Sequence, residues 1–316
     1  MPITTTTGLA LAKLPYPIPS YGVGLNWMSN SATTIKLYSN HDTQNCYVPM
    51  TNGLGDDLTV KFTPDSSAGM TLDIATNGAN GLDTGSVAAT TFYQVRAISK
   101  GSGDVALLAH TSGKLTYGGT AFTMPATYTH YSDILWGFSC STDFTSPYDT
   151  FDDIVYFQQT GPGRCRYTVG YGENPGAGIQ VLSDGDASSE SAAIGLSAAA
   201  HAVSRGQTFI QAHALTADSS ATTCQLYYSG DGRTTSDANQ EEALEVLASF
   251  RSVGTGSGMS TAQELSVVVP NNGYTTDGTM GYTTSATGTA SNILQYQWAD
   301  ARTGRELDVY VTGWQL

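Results

Sequence analysis

Charged side chains are scarce in this chain. They make up 13% of 316 residues, against about 25% in ordinary soluble domains. Helix surfaces draw on Glu, Lys and Arg, so the shortage argues against a helical bundle and against a large α/β enzyme. Basic residues are the scarcer sign: 13 Lys and Arg stand against 27 Asp and Glu, a net charge of −14. Phosphate backbones and anionic bilayer surfaces are both held by clustered Lys and Arg. No nucleic-acid partner and no membrane partner is therefore expected. Long apolar runs are missing too. Nothing approaches the ~18 consecutive apolar residues of a membrane-crossing helix, and no membrane insertion is expected. Met1 to Lys13 has a short apolar centre at Leu9–Leu11 without basic residues ahead of it, so it does not read as a secretory leader.

Cysteine is sparse and scattered. Cys46, Cys140, Cys165 and Cys224 include no C-x-x-C pair, and zinc sites need such pairs, so no metal is expected. Buried free thiols in a protein made in a reducing cytosol are the reading. The histidines His41, His110, His130, His201 and His213 fall at no metal-ligand spacing. A G-x-S-x-G elbow is absent; Gly137-Phe138-Ser139-Cys140-Ser141 lacks the final glycine its tight turn demands. Gly22-Val23-Gly24 opens like a dinucleotide fingerprint, but Trp27 stands where the third glycine belongs and no helix follows. No catalytic residue and no cofactor is predicted, so the chain reads as a non-enzyme.

What is present is a repeated period of two. Leu58, Val60 and Phe62 alternate with Thr59, Lys61 and Thr63; Met70, Leu72 and Ile74 with Thr71 and Asp73; Leu307, Val309 and Val311 with Asp308, Tyr310 and Thr312. Such alternation puts one set on a core face and the other toward water. Similar runs cover 33–39, 91–99, 104–110, 133–139, 153–160, 164–171, 178–183, 207–216, 222–229, 263–269 and 292–299. Gly-rich turns divide them. Lys100 to Asp104 reads as a hairpin, as does Asp300 to Arg305, and Ser229-Gly230-Asp231-Gly232 closes another strand. The fold class predicted is all-β, with antiparallel β-sandwich or jelly-roll domains and at most one substantial helix. That helix falls at Ser236–Ser252: Ala243, Leu247 and Phe250 share a helical face and Asp237 stands at the cap position. The same run also reads as a strand with Leu244, Val246 and Ala248 inward.

The length suits two domains of about 150 residues each. The expected layout is an extended arm at 1–20, a sandwich at 21–152 and a second sandwich or jelly roll at 153–316, with the polar, turn-rich 141–153 at the join. In the arm, Leu14, Pro15, Tyr16, Pro17, Ile18 and Pro19 form a proline-stiffened segment unable to pair within a sheet. It is expected to lie over a partner's surface.

Carboxylates come in doublets at Asp56-Asp57, Asp152-Asp153 and Glu241-Glu242, and adjacent strand residues point to opposite faces. Asp184-Gly185-Asp186 and the run from Asp231 to Glu242 read as solvated turns, with calcium ligation as the alternative. Tyr167 and Tyr171 would share a strand face, while Tyr227 and Tyr228 would oppose one another. Trp27, Trp136, Trp298 and Trp314 are isolated in sequence and read as core.

Ile74 to Ala109, IATNGANGLDTGSVAATTFYQVRAISKGSGDVALLA, pairs a turn-rich NGLDTG with an aromatic strand, a Gly-rich hairpin and a strand ending in ALLA. It resembles a β-rich module of bacteriophage virion proteins of the tail-fibre and head-appendage type. The run VYFQQTGPGRCRYTV within Ile154–Val169 resembles its continuation. The resemblance implies an all-β, oligomeric structural protein with no catalytic residues to carry over. The hairpin also echoes lectin sandwiches in general form. The expected function is therefore a virion structural protein: a fibre, knob or capsid-decoration subunit assembled in the host cytoplasm. Its expected partners are other virion proteins and further copies of itself, a trimer being favoured, together with a host surface glycan. A carbohydrate-binding module is the alternative. A polysaccharide depolymerase comes third, since no β-helix repeat is visible.

Overall fold

The computed structural model describes residues 25–39, 46–52, 56–62, 69–88, 91–101, 104–111, 122–140, 154–168, 178–186, 192–196, 199, 207–216, 222–229, 245–252, 261–270, 293–299 and 304–315. Every regular element among them is a strand. The fold is all-β with several antiparallel sheets, as the alternating pattern predicts. Two compact units divide the chain, Met1–Cys165 and Arg166–Gln315.

The first unit contains two sheets. One has the order β5 (Met70–Asp73), β2 (Thr34–Ser39), β1 (Leu25–Ser29), β10 (Phe157–Gly161), all antiparallel. The other runs β4 (Asp57–Phe62), β3 (Cys46–Thr51), β9 (His130–Cys140), β7 (Thr91–Ser99), β8 (Val105–His110), β6 (Gly81–Leu82). Only the short β6 pairs in parallel. The 100–104 hairpin is as expected: Ser99 pairs with Val105, Gly101 takes φ +83°, and Lys100 Nζ lies 3.6 Å from Asp104 Oδ2.

These two sheets pack face to face through aromatics. Trp27 of β1 stacks on Trp136 of β9, and Phe157 of β10 tilts against the same indole at 5.5 Å. Leu25, Ile35, Leu37 and Leu72 line the interior from one sheet, Val95, Ala97, Leu107 and Phe138 from the other. Strands β7 and β8 are buried on both faces, because a second cluster covers them. Ile98, Ala106 and Leu108 pack there with Phe122, Met124, Tyr128 and Tyr131. Ile154 and Val155 are tied to this unit by N–H bonds to Ala32 O and Ser139 O, so the division falls after β10.

Strand β11 (Arg164–Tyr167) straddles that division. In the second unit one antiparallel sheet has the order β17 (Thr261–Pro270), β14 (Gln207–Thr216), β19 (Arg305–Gln315), β12 (Ile179–Leu182). The other has β13 (Ala192–Ile194), β18 (Ile293–Trp298), β15 (Thr222–Ser229), β16 (Glu245–Ser252).

Two expectations are corrected here. The described part of the predicted helix at Ser236–Ser252 is strand β16, paired along β15. Cross-strand burial of Ala248 and Phe250 beside Cys224 and Leu226 outweighs the helical spacing. The parity of the strand reading is corrected as well. A register shift between Leu226 and Tyr227 leaves Leu247 unpaired as a bulge, and Val246 points outward at 48% exposure. The second correction concerns Asp300–Arg305, which does not join a hairpin. Strand β18 belongs to one sheet and β19 to the other, so the connection crosses between sheets. Trp298 and Arg305, at its two ends, lie against each other with the guanidinium 5.6 Å from the indole centroid.

Candidate polar cleft in the first unit

The segment from Asp73 to Gly85 is the local device that shapes the candidate site. Gly78 (φ +100°), Asn80 (φ +64°) and Gly85 (φ +78°) all take left-handed conformations. These let the chain double back on itself and lie along β8. Gly81 admits no side chain, since a Cβ there would sit 2.3 Å from Thr76 O. Backbone bonds then pin the segment. Asn80 N donates to Leu107 O at 2.7 Å and Asp83 N to Ala109 O at 2.8 Å. The Asn80 side chain returns a contact, its Oδ1 accepting from Leu107 N at 2.9 Å. Asn77 Nδ2 donates to Gly85 O at 2.9 Å.

Beside this platform, where β7 begins and β8 ends, lies a cleft of about 410 Å3. Asp83, Thr84, Ser86, Tyr93, Thr111 and Phe122 line it, with Ala88 and Thr123. Asp83 holds the wall together: Oδ1 accepts from Thr84 N at 2.8 Å and Oδ2 from Thr123 N at 3.2 Å. Tyr93 stacks on Phe138 at 5.5 Å, and its hydroxyl accepts from Ala88 N at 2.8 Å. Burial pushes the Tyr93 phenol above its ordinary value, against the lowering effect of the Ala88 bond. The phenol therefore stays protonated at neutral pH. This set of groups can donate and accept hydrogen bonds to a polar ligand.

Behind the cleft sits a buried ionic cluster. Arg96, 3% exposed, donates from Nε to His110 Nε2 at 3.0 Å and from Nη1 to Ser132 O at 2.7 Å. Its Nη1 also lies 3.9 Å from Asp133 Oδ1. Because His110 Nε2 accepts, the ring hydrogen sits on Nδ1. Phe122 packs on both partners: the imidazole stacks at 4.7 Å and the guanidinium lies 5.2 Å from the ring centroid. The cluster positions Phe122 in the cleft wall.

The residues singled out from sequence fall elsewhere. Leu14, Pro15, Tyr16, Pro17, Ile18 and Pro19 lie outside the described residues, as do His41, His201, Asp152-Asp153, Tyr171 and the run from Asp231 to Glu242. Asp56, itself exposed, meets the buried His130, with Oδ2 3.4 Å from Nε2. Asp184-Gly185-Asp186 follows β12, with Asp184 at φ +53° and Gly185 buried. Asp184 N donates to Asp308 Oδ1, and the Gly185 backbone exchanges two 3.0 Å bonds with Leu307. Gly185 O also accepts from Trp298 Nε1 at 2.9 Å. No group of three or more His, Cys, Asp or Glu gathers as a cation site among the described residues. Tyr167 is buried and donates to Ala199 O; Tyr227 donates to Gln225 Oε1. All four tryptophans are core, as read. Gly137 and Ser139 lie within strand β9, where Gly137 makes room for Phe92. Cys140, Cys165 and Cys224 are buried free thiols.

Asp83, Tyr93, Thr111, Phe122 and Thr123 were not singled out as a site. The turn sequence Asn80 to Gly85 was the available signal, but Thr111 and Phe122 reach the cleft only through strand pairing.

No family model matches the chain, and no curated protein does. Among solved structures, the chain aligns with one titled structure of infectious bursal disease virus Gx strain. The identity is 10%, over 94% of this chain and 80% of that one, with a TM-score of 0.21. A likeness that slight carries no argument.

Proposed function

We propose that this chain is a structural protein of a bacteriophage virion, a fibre, knob or capsid-decoration subunit that acts through contacts with other virion proteins. The observation that carries the reading is where the resembling segment lies. Ile74 to Ala109 builds the pinned platform, β7 and β8, the part of the first unit buried on both faces. Strands β7 and β8 within it are almost wholly buried and form a packed scaffold. The net charge of −14 and the scarcity of Lys and Arg suit a component that excludes nucleic acid from its surface. Large buried interfaces would then supply its energetics, with self-association into a symmetric homo-oligomer, a trimer by preference.

Peptide mass spectrometry on gradient-purified particles tests this directly. The chain is expected in stoichiometric amount within intact particles. Its presence in the infected lysate together with its absence from particles overturns the reading. Sedimentation analysis of the isolated protein reads the oligomer, and a monomer at micromolar concentration removes the trimer.

A second reading, adhesion to a glycan of the host surface, is favoured by the polar cleft beside Asp83 and Tyr93.

A further inference from the structure

The cleft holds more hydrogen-bonding capacity than the fold uses. Asp83 accepts one backbone N–H at each carboxylate oxygen, and each oxygen keeps a further lone pair. Tyr93 accepts from Ala88 N, so the hydrogen of its own hydroxyl has no acceptor among the described residues. Thr84, Ser86, Thr111 and Thr123 line the same space, and their side-chain hydroxyls have no hydrogen-bond partner among the described residues. Six polar side chains thus converge on one concavity with donors and acceptors to spare. Among the described residues lining it there is no Lys or Arg.

We propose that this cleft binds a neutral saccharide unit. The inference deepens the second reading above and names its ligand class. A sugar ring presents adjacent hydroxyls, each both donor and acceptor. A carboxylate with a free lone pair on each oxygen accepts from two neighbouring hydroxyls at once, and charge-assisted bonds of this kind are the stronger ones. The protonated Tyr93 hydroxyl supplies a donor, and the threonine and serine hydroxyls supply both roles. An anionic ligand is disfavoured by Asp83 and by the acidic surface as a whole. A cleft of about 410 Å3 falls inside the range of about 300–1,000 Å3 that takes small ligands.

Two further features set the strength. The bonds from Asn80 and Asp83 to β8 hold the carboxylate in place without a ligand, which lowers the ordering cost of binding. Against that, Phe122 is only 7% exposed, with His110 stacked on it and Tyr131 edge-on at 5.2 Å. Among the described residues no open aromatic face is offered to the sugar. Affinity for one unit therefore rests on hydrogen bonds and falls in the millimolar range. A multimeric particle raises it by avidity.

Saturation-transfer NMR on the full chain tests the site. The probes are the methyl glycosides of glucose, galactose, mannose, rhamnose and N-acetylglucosamine, with glucuronate as the charged comparison. At least one neutral glycoside is expected to show transfer, and glucuronate none. Asp83→Asn and Tyr93→Phe are each expected to weaken the bound glycoside by about tenfold, the cost of one lost charged or buried hydrogen bond. Both residues also brace the wall, so Thr111→Val serves as the variant without a structural partner. It is expected to weaken binding while leaving the unfolding midpoint unchanged. The proposal fails if no neutral glycoside shows transfer, if all three variants bind like the parent, or if glucuronate competes equally. The assay needs no particle, so such a failure leaves the virion assignment standing, and absence from particles leaves a positive binding result standing.

Discussion

The indole rings of Trp27 and Trp136 lie parallel, 8° apart in plane with centroids 5.7 Å apart. One stands on β1 and the other on β9, strands of different sheets that are distant in sequence. Both side chains are buried. This contact, extended by Phe157, lies among the buried side chains that join the two sheets of the first unit. Truncating Trp136 to Ala would leave a cavity between them and is expected to cost about 3–5 kcal/mol. Trp136→Phe retains part of the contact and should cost less. Urea unfolding followed by circular dichroism checks the order; equal midpoints for Trp136→Ala and the parent would contradict it.

Arg96 offers a second test. Its guanidinium is buried and donates to both His110 Nε2 and Ser132 O. Removing one member of such a set is expected to cost about 3–5 kcal/mol. Arg96→Ala should show that loss in denaturant melts. Arg96→Met, which keeps volume against Phe122, should recover part of it. Full recovery would mean that packing alone accounts for the position.

The thiols set an alkaline limit. Burial pushes Cys224 up to about 12, with the nearby Arg305 charge pulling the other way, and burial pushes Cys165 well above its ordinary value. An unfolded thiol ionises near about 8.5. Above that pH the unfolded chain releases protons that the folded chain keeps, so stability is fully present below about 8.5 and falls as the pH rises toward the folded values. Unfolding midpoints measured from neutral to alkaline pH should decline, and Cys224→Ala should flatten the decline. Rapid maleimide labelling of Cys224 in the native protein at neutral pH would contradict the burial.

Two glycines with positive φ separate backbone strain from steric exclusion. Gly178 has φ +96°, and a Cβ there would meet Val311 O at 2.1 Å; Gly85 has φ +78° and open space around it. Gly85→Ala is expected to cost about 1–2 kcal/mol, the left-handed penalty alone. Gly178→Ala should cost clearly more, because strand β19 must also move. Thermal unfolding of the two variants reads the difference, and equal shifts would refute the steric part.

Strand content was legible wherever side-chain alternation was local. Gln207–Thr216 and Thr222–Ser229 could be bounded in sequence because both ends are marked by polar turns. Strand β1 is hard to read in sequence, since only Leu25 and Trp27 alternate inward over its five residues. The run holding β16 fits two periods in sequence, because Ala243, Leu247 and Phe250 match a helix when no partner strand is in view. The cleft was largely hidden: Asp83 and Thr123 are forty residues apart, joined by a single bond from Thr123 N to the Asp83 carboxylate.

By itself the amino-acid order determined the class of this protein. Low charge, a period of two and Gly-rich turns leave little besides stacked antiparallel strands, since each of these acts between near neighbours in the chain. Only the tertiary structure decided which strands share a sheet, that β18 and β19 belong to different ones, and which polar residues gather beside Asp83. Those outcomes depend on side chains far apart in sequence competing to be removed from water, and a local pattern carries no record of that competition.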